Sequence, residues 1–504
     1  MSIITKQQFI ESIRNAFQFI SYCHPPDFVH SLAEAYKREK NSAAKTAIAQ
    51  ILLNSKMSAE NKRPMCQDTG ISVVFIDVGM DVRWETDLSV SEMVHEGVRK
   101  AYQDPNNKLR FSIVDNPHDK RTNTKDNTPA VIHYNIVPGN KVEIHLAAKG
   151  GGSENKSRFV NLDPSASVVN WIIETLPSMG AGWCPPGILG IGIGGTPEYA
   201  MYLAKRSLMA PIDIHEIKER GGDNSIDKLR IEIYDRVNAL GIGAQGLGGI
   251  TTVLDVKVLT YPTHAVSLPV ALIPNCASTR HVHFSLDGTN IATFPEPDLS
   301  LWPNISLSDT QVEATPVNID TLTKSDIAKW QAGQNLLLSG TLYTARDAAH
   351  KRIQDMINAG KELPFDLRGK IVYYVGPVDP VRDEIIGPAG PTTADRMDRF
   401  AELMLSEKVG VIGMIGKGER KQKGIDAIKK YGAVSMIAVG GAAYLVSKSI
   451  TKVEMIAFSD LGMEGVRKLT VKDMPVTVSV SSLGESIHEI GPQKWKISLK
   501  ESRN

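Results

Sequence analysis

Three cysteines stand in turn-forming surroundings. Cys66 lies in Pro64-Met-Cys-Gln-Asp-Thr-Gly70, Cys184 in Gly182-Trp-Cys-Pro-Pro-Gly187, and Cys276 in Pro274-Asn-Cys-Ala-Ser-Thr-Arg280. A structural thiol ordinarily sits among packed apolar neighbours, and these three contexts are not apolar. Cys23, in Ser21-Tyr-Cys-His-Pro25, has the least polar context and reads as structural. Three widely spaced thiolates suit an iron–sulfur cluster that leaves one iron without a protein ligand, because a fully ligated cluster takes four. An iron with an open position is a Lewis acid. Zinc is the rival, since it also accepts sets of three cysteines, but its usual closely spaced cysteine pairs do not occur here. Four cysteines in 504 residues argue against a disulfide framework.

The bulk composition bounds what such a centre would serve. There are 57 Lys+Arg against 56 Asp+Glu, a net charge of +1. Nothing in that balance suggests a nucleic-acid surface or a polybasic membrane anchor, and an anionic substrate would have to be met by a local cluster of cations. The longest near-apolar run, Val434 to Val446, is short of the ~20 residues a membrane-spanning helix needs. The first twenty residues carry Lys6, Glu11 and Arg14, unlike the apolar core of a signal peptide. The expectation is a cytoplasmic protein without membrane or nucleic-acid partners. A chain this long divides into several domains.

The elements that position the three turns follow from periodicity. Lys6 to about Leu53 is helical, broken at His24-Pro25-Pro26 and restarted with Asp27 as N-cap. Ile71–Val78 reads as a strand and Ser89–Tyr102 as a helix. Ala130–Val137 and Lys141–Ala148 alternate around Pro138-Gly139-Asn140 and predict a hairpin. Helices follow near 166–175, 198–208 and 225–239, with strands at 251–259 and 266–273. From 286 to 325 periodicity fades and prolines accumulate, which marks a linker between an N-terminal domain (1–285) and a C-terminal one (326–504). Beyond it, apolar strands at 336–339, 371–375, 409–415 and 433–439 alternate with helices at 344–359, 394–408, 421–431 and 442–447. That rhythm predicts a largely parallel sheet. The fold class is therefore α/β, an α+β domain bearing the cysteines followed by an α/β domain. Functional groups of such sheets gather beyond the C-terminal strand ends. The loops expected there are Gly340–Arg346, Gly376–Arg396 and Gly416–Gly418.

Two segments, Gly190–Gly195 and Gly241–Gly246, match G-x-G-x-x-G. Neither follows a clean buried strand of a βαβ unit, so tight glycine turns near a ligand are expected rather than dinucleotide binding.

Taken together, several blocks resemble the class I (iron–sulfur) fumarate hydratases. They are Cys66-Gln-Asp-Thr-Gly70, Asn127-Thr-Pro-Ala130, Ala148-Lys-Gly-Gly-Gly-Ser153, Cys184-Pro-Pro-Gly187 and Asn275-Cys276. Ala345-Arg-Asp-Ala-Ala-His-Lys-Arg352, Gly387-Pro-Ala-Gly-Pro-Thr-Thr-Ala-Asp-Arg396 and Gly416-Lys-Gly418 complete the set. The resemblance runs from about residue 5 to residue 500 and spans both halves that the related L-tartrate dehydratases carry on separate subunits. It implies a homodimer, a [4Fe-4S] cluster on Cys66, Cys184 and Cys276, and a C-terminal swivelling domain that closes over a small dicarboxylate, fumarate or malate.

Hydration of fumarate needs a dianion neutralised, a water activated, the alkene polarised and a proton delivered. Guanidinium forks match carboxylates bidentately. By resemblance the cations are Arg110, Arg346, Arg396 and Lys417, with Arg121 the alternative to Arg110. Gln67 and Asp68 adjoin a cluster cysteine and so lie within reach of substrate. Main-chain amides of Gly150–Ser153 suit an oxyanion, and Lys156 follows them. The resemblance makes Asp68 and Thr392 the proton-transfer pair and places His264 on the substrate or Asp68. Each has a plainer reading. Arg346 precedes Asp347 and would pair with it, His264 would be a loop histidine, and Thr392 a helix cap. His133 and His145 alternate with apolar residues and read as structural. Alternative activities on the same scaffold are L-tartrate dehydration and mesaconate hydration. A non-enzymatic iron–sulfur sensor would need none of the cations.

Overall fold

The computed structural model describes residues 2–496. A short strand, Ser2–Thr5, is followed by three helices, Lys6–Tyr22, Pro26–Arg38 and Ser42–Asn61. Pro26, not Asp27, begins the second, because proline's fixed φ and missing N–H suit the first helical position. Asp27 falls in the first turn, and its carboxylate accepts from the Ile212 N–H at 2.7 Å.

The expected hairpin does not form. Strand Ile71–Gly79 lies between Val131–Val137, to which it is parallel, and Val142–Lys149, to which it is antiparallel; His281–Leu286 completes this four-stranded sheet. The inserted strand is the most apolar of the three, with Val73 to Ile76 all buried. Burial of both its faces takes precedence over the local turn signal. A second sheet has the order Val253–Tyr261, Gly187–Gly194, Leu268–Asn275, Arg158–Leu162. The first G-x-G-x-x-G match occupies the end of its strand Gly187–Gly194 and turns at Gly194 and Gly195, both at positive φ. A β-carbon at Gly190 would lie 2.2 Å from Ala204 O, and one at Gly192 2.0 Å from Ala200 O. These glycines let the helix Pro197–Ser207 pack directly on the strand.

The strand Thr315–Asn318 already belongs to the C-terminal sheet, so regular structure begins inside the stretch read as linker. Four strands follow in parallel, Asn335–Thr344, Ile371–Tyr373, Gly413–Gly416 and Val434–Ile437. The sheet does not stay parallel. The long strand Val466–Val480 runs antiparallel to Val434–Ile437, to Ile450–Ala457 and to Asn335–Thr344, closing a five-strand ring. Leu336, Leu338, Ile371, Tyr373, Val434, Met436, Leu469 and Val478 pack together on one face of these strands. Val372, Tyr374 and Met414 pack on the other, against helices Asp347–Asn358, Asp398–Leu405 and Gln422–Tyr431. Gly340–Thr344 is strand rather than loop, leaving Ala345 and Arg346 to form the turn. A further apolar cluster joins Ile48, Leu52, Leu247 and Ala277 to Ile437, Val439, Ala442 and Leu445, so the two units share buried surface. Among the described residues, no helix is long and apolar enough to cross a membrane.

His350 ties this fold to pH. Its ring stacks on Phe400, and its Nδ1 lies 2.8 Å from Arg346 O. Burial lowers its pKa to about 4. Between an unfolded value of 6.5 and 4 the unfolded chain binds the proton and the folded chain does not, so stability falls as pH falls through that window. The expected loss is on the order of 3 kcal/mol at pH 4. Denaturant unfolding from pH 7 to pH 4 should show a shallower slope for His350→Gln than for the parent chain. Equal slopes would remove His350 as the acid-labile group.

Candidate active site

The helix Ser42–Asn61 ends at Lys62, whose φ of 50° turns the chain toward Cys66. Arg63 then anchors the turn. It is fully buried, forks onto Glu384 at 2.8 and 2.9 Å, and donates to Asn107 Oδ1 at 2.9 Å. The strand Ile71–Gly79 starts directly after Gly70. Cys276 sits just past the end of Leu268–Asn275, and Cys184 just ahead of Gly187–Gly194, so neighbouring strands present both. The Ala277 N–H donates to Cys184 O at 3.0 Å.

Cys184 meets the Lys417 ammonium, and Cys66 and Cys276 act on the same ammonium electrostatically. Lys417 Nζ lies 2.9 Å from Cys184 Sγ. Burial alone would lower the Lys417 pKa, but the sulfurs of Cys184, Cys66 and Cys276 outweigh it and raise it. Burial pushes the Cys66 thiol up and the Cys184 thiol up to about 11. These thiols become thiolates only when a further positive charge is supplied, as a metal does. Among the described residues, no three His, Cys, Asp or Glu side chains converge tightly enough to hold one metal ion. The three thiols stand on three separate loops, with Lys417 against Cys184.

Asp68 faces the same space. Its carboxylate accepts from the Gly151 N–H at 2.8 Å and pairs with Arg110 Nη2 at 3.5 Å. Burial raises its pKa, but Arg110, Arg280 and Lys417 together with the Gly151 N–H hold it below the usual carboxylate range. Gln67 donates to Pro391 O at 3.0 Å, tying the turn to the C-terminal unit. Residues Gly151–Glu154 form a single helical turn whose leading amide is spent on Asp68, not left open. The Ser153 hydroxyl is likewise occupied, by Lys149 Nζ at 2.6 Å and Gly150 O at 3.0 Å.

The C-terminal unit supplies cations from its parallel strand ends. Arg110 Nη1 donates to Gly376 O at 2.9 Å, and a β-carbon at Gly376 would lie 2.4 Å from Arg346 Nη1. Two guanidinium groups thus meet at one glycine. Nε of each is buried without a hydrogen-bond partner. The Arg346 pKa falls to about 10, chiefly through burial; Glu464 opposes the fall, and Arg110 and Arg396 add to it. Arg396 is itself half-exposed and forks onto Asp347, without touching Thr392. Thr392 is buried, and its carbonyl accepts from the Lys417 N–H at 3.0 Å. Thr393, not Thr392, holds the N-cap position of the helical turn that follows, and its side chain makes no capping bond. Lys156 lies 3.3 Å from Glu419 at the rim.

His264 is not brought to this site. It lies exposed in the loop before Leu268–Asn275, at the opposite end of that strand from Cys276. Arg121 is exposed and donates to Pro117 O, which leaves Arg110 as the arginine against Asp68. Sequence reasoning missed Arg280, buried, with Nη1 on Asp68 O at 2.7 Å and Nη2 unpartnered. Its signal was present, four residues beyond Cys276 in the same turn. Lys149 was also missed. Buried and lowered to about 8 by desolvation, it bridges Ser153 Oγ and Pro274 O behind the site.

Three loop cysteines, Asp68, Lys417 and the guanidinium groups of Arg110 and Arg346 thus gather at the seam between the two units, an arrangement suited to a small polyanion. Residues 10–285 match the fumarate hydratase (fumerase) family and residues 288–491 the fumarase C-terminus family. The chain belongs to the class I fumarate hydratase family. It is 31% identical to fumarate hydratase 2 of Leishmania major, covering 94% of this chain and 85% of that one. It is 30% identical to the anaerobic class I fumarate hydratase of Escherichia coli, over 90% of this chain and 84% of that one. A putative L(+)-tartrate dehydratase subunit alpha of Methanocaldococcus jannaschii is 36% identical over 51% of this chain and 90% of its own length.

Proposed function

We propose that the chain is a fumarate hydratase, interconverting fumarate and (S)-malate. The observation that carries this reading is the meeting of Arg110 and Arg346 at Gly376, each with a buried unpaired Nε, beside Asp68 and the three thiols. A buried guanidinium without its full set of acceptors favours an incoming carboxylate.

Cys66, Cys184 and Cys276 would hold a [4Fe-4S] cluster, which when bound supplies a Lewis-acid iron free of protein ligands. The chain's own residues do the rest. Arg110 and Arg346 hold one carboxylate, with Arg396 adding positive potential from the rim. Lys417 and Gln67 flank the reacting carbons from opposite units. Asp68, kept ionised and oriented by the Gly151 N–H and Arg110, exchanges a proton at its carboxylate on the hydroxyl side of malate. Thr392 serves the C3 proton, with Lys417 next to it in the backbone ladder. Lys149 and Arg280 fix the Gly150–Ser153 turn and the Cys276 loop. Within one chain His264 takes no part. A homodimer and a cytoplasmic location complete the reading, the former checked by light scattering at twice the chain mass.

Anaerobic reconstitution followed by a fumarate absorbance assay tests the activity, with L-tartrate and mesaconate in parallel and a visible spectrum of the same sample. A brown protein that consumes fumarate fastest supports the reading. A preference for tartrate or mesaconate changes the substrate and keeps the site. A colourless protein inactive on all three overturns it.

A further inference from the structure

Two buried carboxamides grip one glycine turn of the C-terminal unit. The turn, Gly440-Gly441, lies between the strand Val434–Ile437 and the helix Ala443–Lys448. Asn54 reaches it from the middle of the helix Ser42–Asn61. Its Oδ1 accepts from the N–H groups of Tyr444 and Leu445, both at 2.9 Å. Its Nδ2 donates to Gly441 O at 2.9 Å and to Met65 O at 3.0 Å. Gln245 reaches the turn from the Gly241–Gly246 loop, the second glycine motif. Its Oε1 accepts from the Gly440 N–H at 2.8 Å, and its Nε2 donates to Pro185 O at 2.9 Å and Gly440 O at 3.2 Å. Met65 precedes Cys66, and Pro185 follows Cys184. A β-carbon at Gly440 would lie 2.3 Å from Cys184 Sγ, so the turn rests on that thiol.

We propose that Asn54 and Gln245 are positioning residues that couple the seating of the C-terminal unit to the placement of Cys66 and Cys184. The inference deepens the reading of those cysteines as ligands. An amide offers both donors and acceptors, whereas a carboxylate offers acceptors alone. Were Asn54 only a cap for the helix Ala443–Lys448, aspartate would serve as well, since it too accepts from first-turn N–H groups. Two of Asn54's four bonds and two of Gln245's three instead run from the NH₂ group to carbonyls, one beside a thiol and one in the turn. The same side chain thus senses both units. When the C-terminal unit lifts, Met65 O loses the Ala443 N–H at 3.3 Å and both amides lose their partners in the turn, so their hold on the Met65 and Pro185 carbonyls is no longer fixed and the two cysteine loops slacken.

The test uses Asn54→Asp and Gln245→Glu in the metal-free full-length chain, with iodoacetamide labelling of each cysteine followed by mass spectrometry. Loss of a buried donor raises local opening, so labelling is expected to rise by about tenfold, at Cys66 in N54D and at Cys184 in Q245E. Cys23, buried outside the clasp, is the gauge of general loosening and should not change. After reconstitution both variants should lose kcat more than they raise KM. Wild-type labelling rates at Cys66 and Cys184, or a matching rise at Cys23, would overturn the proposal. If a variant does not fold, hydrogen exchange in the metal-free parent decides. The amides of Gly440, Tyr444 and Leu445 should be protected, and exchange at open-loop rates would overturn the clasp. Labelling and exchange need no substrate, so failure of the fumarate assay alone would leave this result standing.

Discussion

Replacing Cys66, Cys184 or Cys276 by serine is expected to abolish both visible absorbance after reconstitution and turnover of fumarate, whereas Cys23→Ser keeps both. The three share one ammonium, Lys417, while Cys23 bonds only to the neighbouring His24 carbonyl. Serine is nearly isosteric, so little packing is lost and the variants should fold. What they lose is a thiolate, and with it an electrophile worth several kcal/mol, or about 10³-fold in rate or more. The absorbance and the activity must disappear together. A serine variant that stays brown and active would remove that residue from the ligand set. A Cys23→Ser chain that bleaches would mean the fourth thiol had been misjudged.

Arg346→Lys is expected to lower kcat/KM for fumarate by about 30- to 4,000-fold, the equivalent of 2–5 kcal/mol for a truncated buried charge contact. Lysine keeps the charge but loses the fork that matches a carboxylate. The loss should appear largely in KM and in the affinity of unreactive dicarboxylates, because the contact is made in the ground state as well as the transition state. The plainer role, pairing with Glu464 at 3.6 Å and Asp347 at 4.0 Å, makes a different forecast. Those separations are long, and lysine would satisfy them with unchanged kinetics and at most a shift in melting temperature. Kinetics and melting measured on one preparation separate the two.

What the sequence revealed depended on how local the cause was. The cysteine turns were legible because Pro, Gly, Asn and Asp announce turns wherever they occur. The helices and the alternating strands of the C-terminal unit were legible from period alone. The pairing of Ile71–Gly79 between two strands that look like a hairpin was not, because burial of a central strand is decided by the whole sheet. The closing of the C-terminal ring by Val466–Val480 is equally non-local. Cys66, Asp68, Arg110, Arg346 and Lys417 were chosen by motif, and the fold brings them into one neighbourhood through pairwise contacts. His264 was carried over with them and is not brought there, since it lies at the wrong end of its strand. Arg280 was overlooked because it was weighed only as part of a cysteine turn. Asn54 was invisible, being one polar residue in a helix whose partners Tyr444 and Leu445 lie 390 and 391 positions away.

The long strand Val466–Val480 carries a consequence for how the protein is made. On the ribosome, the segments bearing Cys66, Cys184 and Cys276 emerge hundreds of residues ahead of the strand that closes the C-terminal ring. Non-local strand pairing of this kind is slow, and chains fold from the N-terminus while they are being synthesised. Lys417 and the Gly440-Gly441 turn belong to that ring, so their seating against Cys184 waits on the last strand to be made, and closure of the site is a late event in folding.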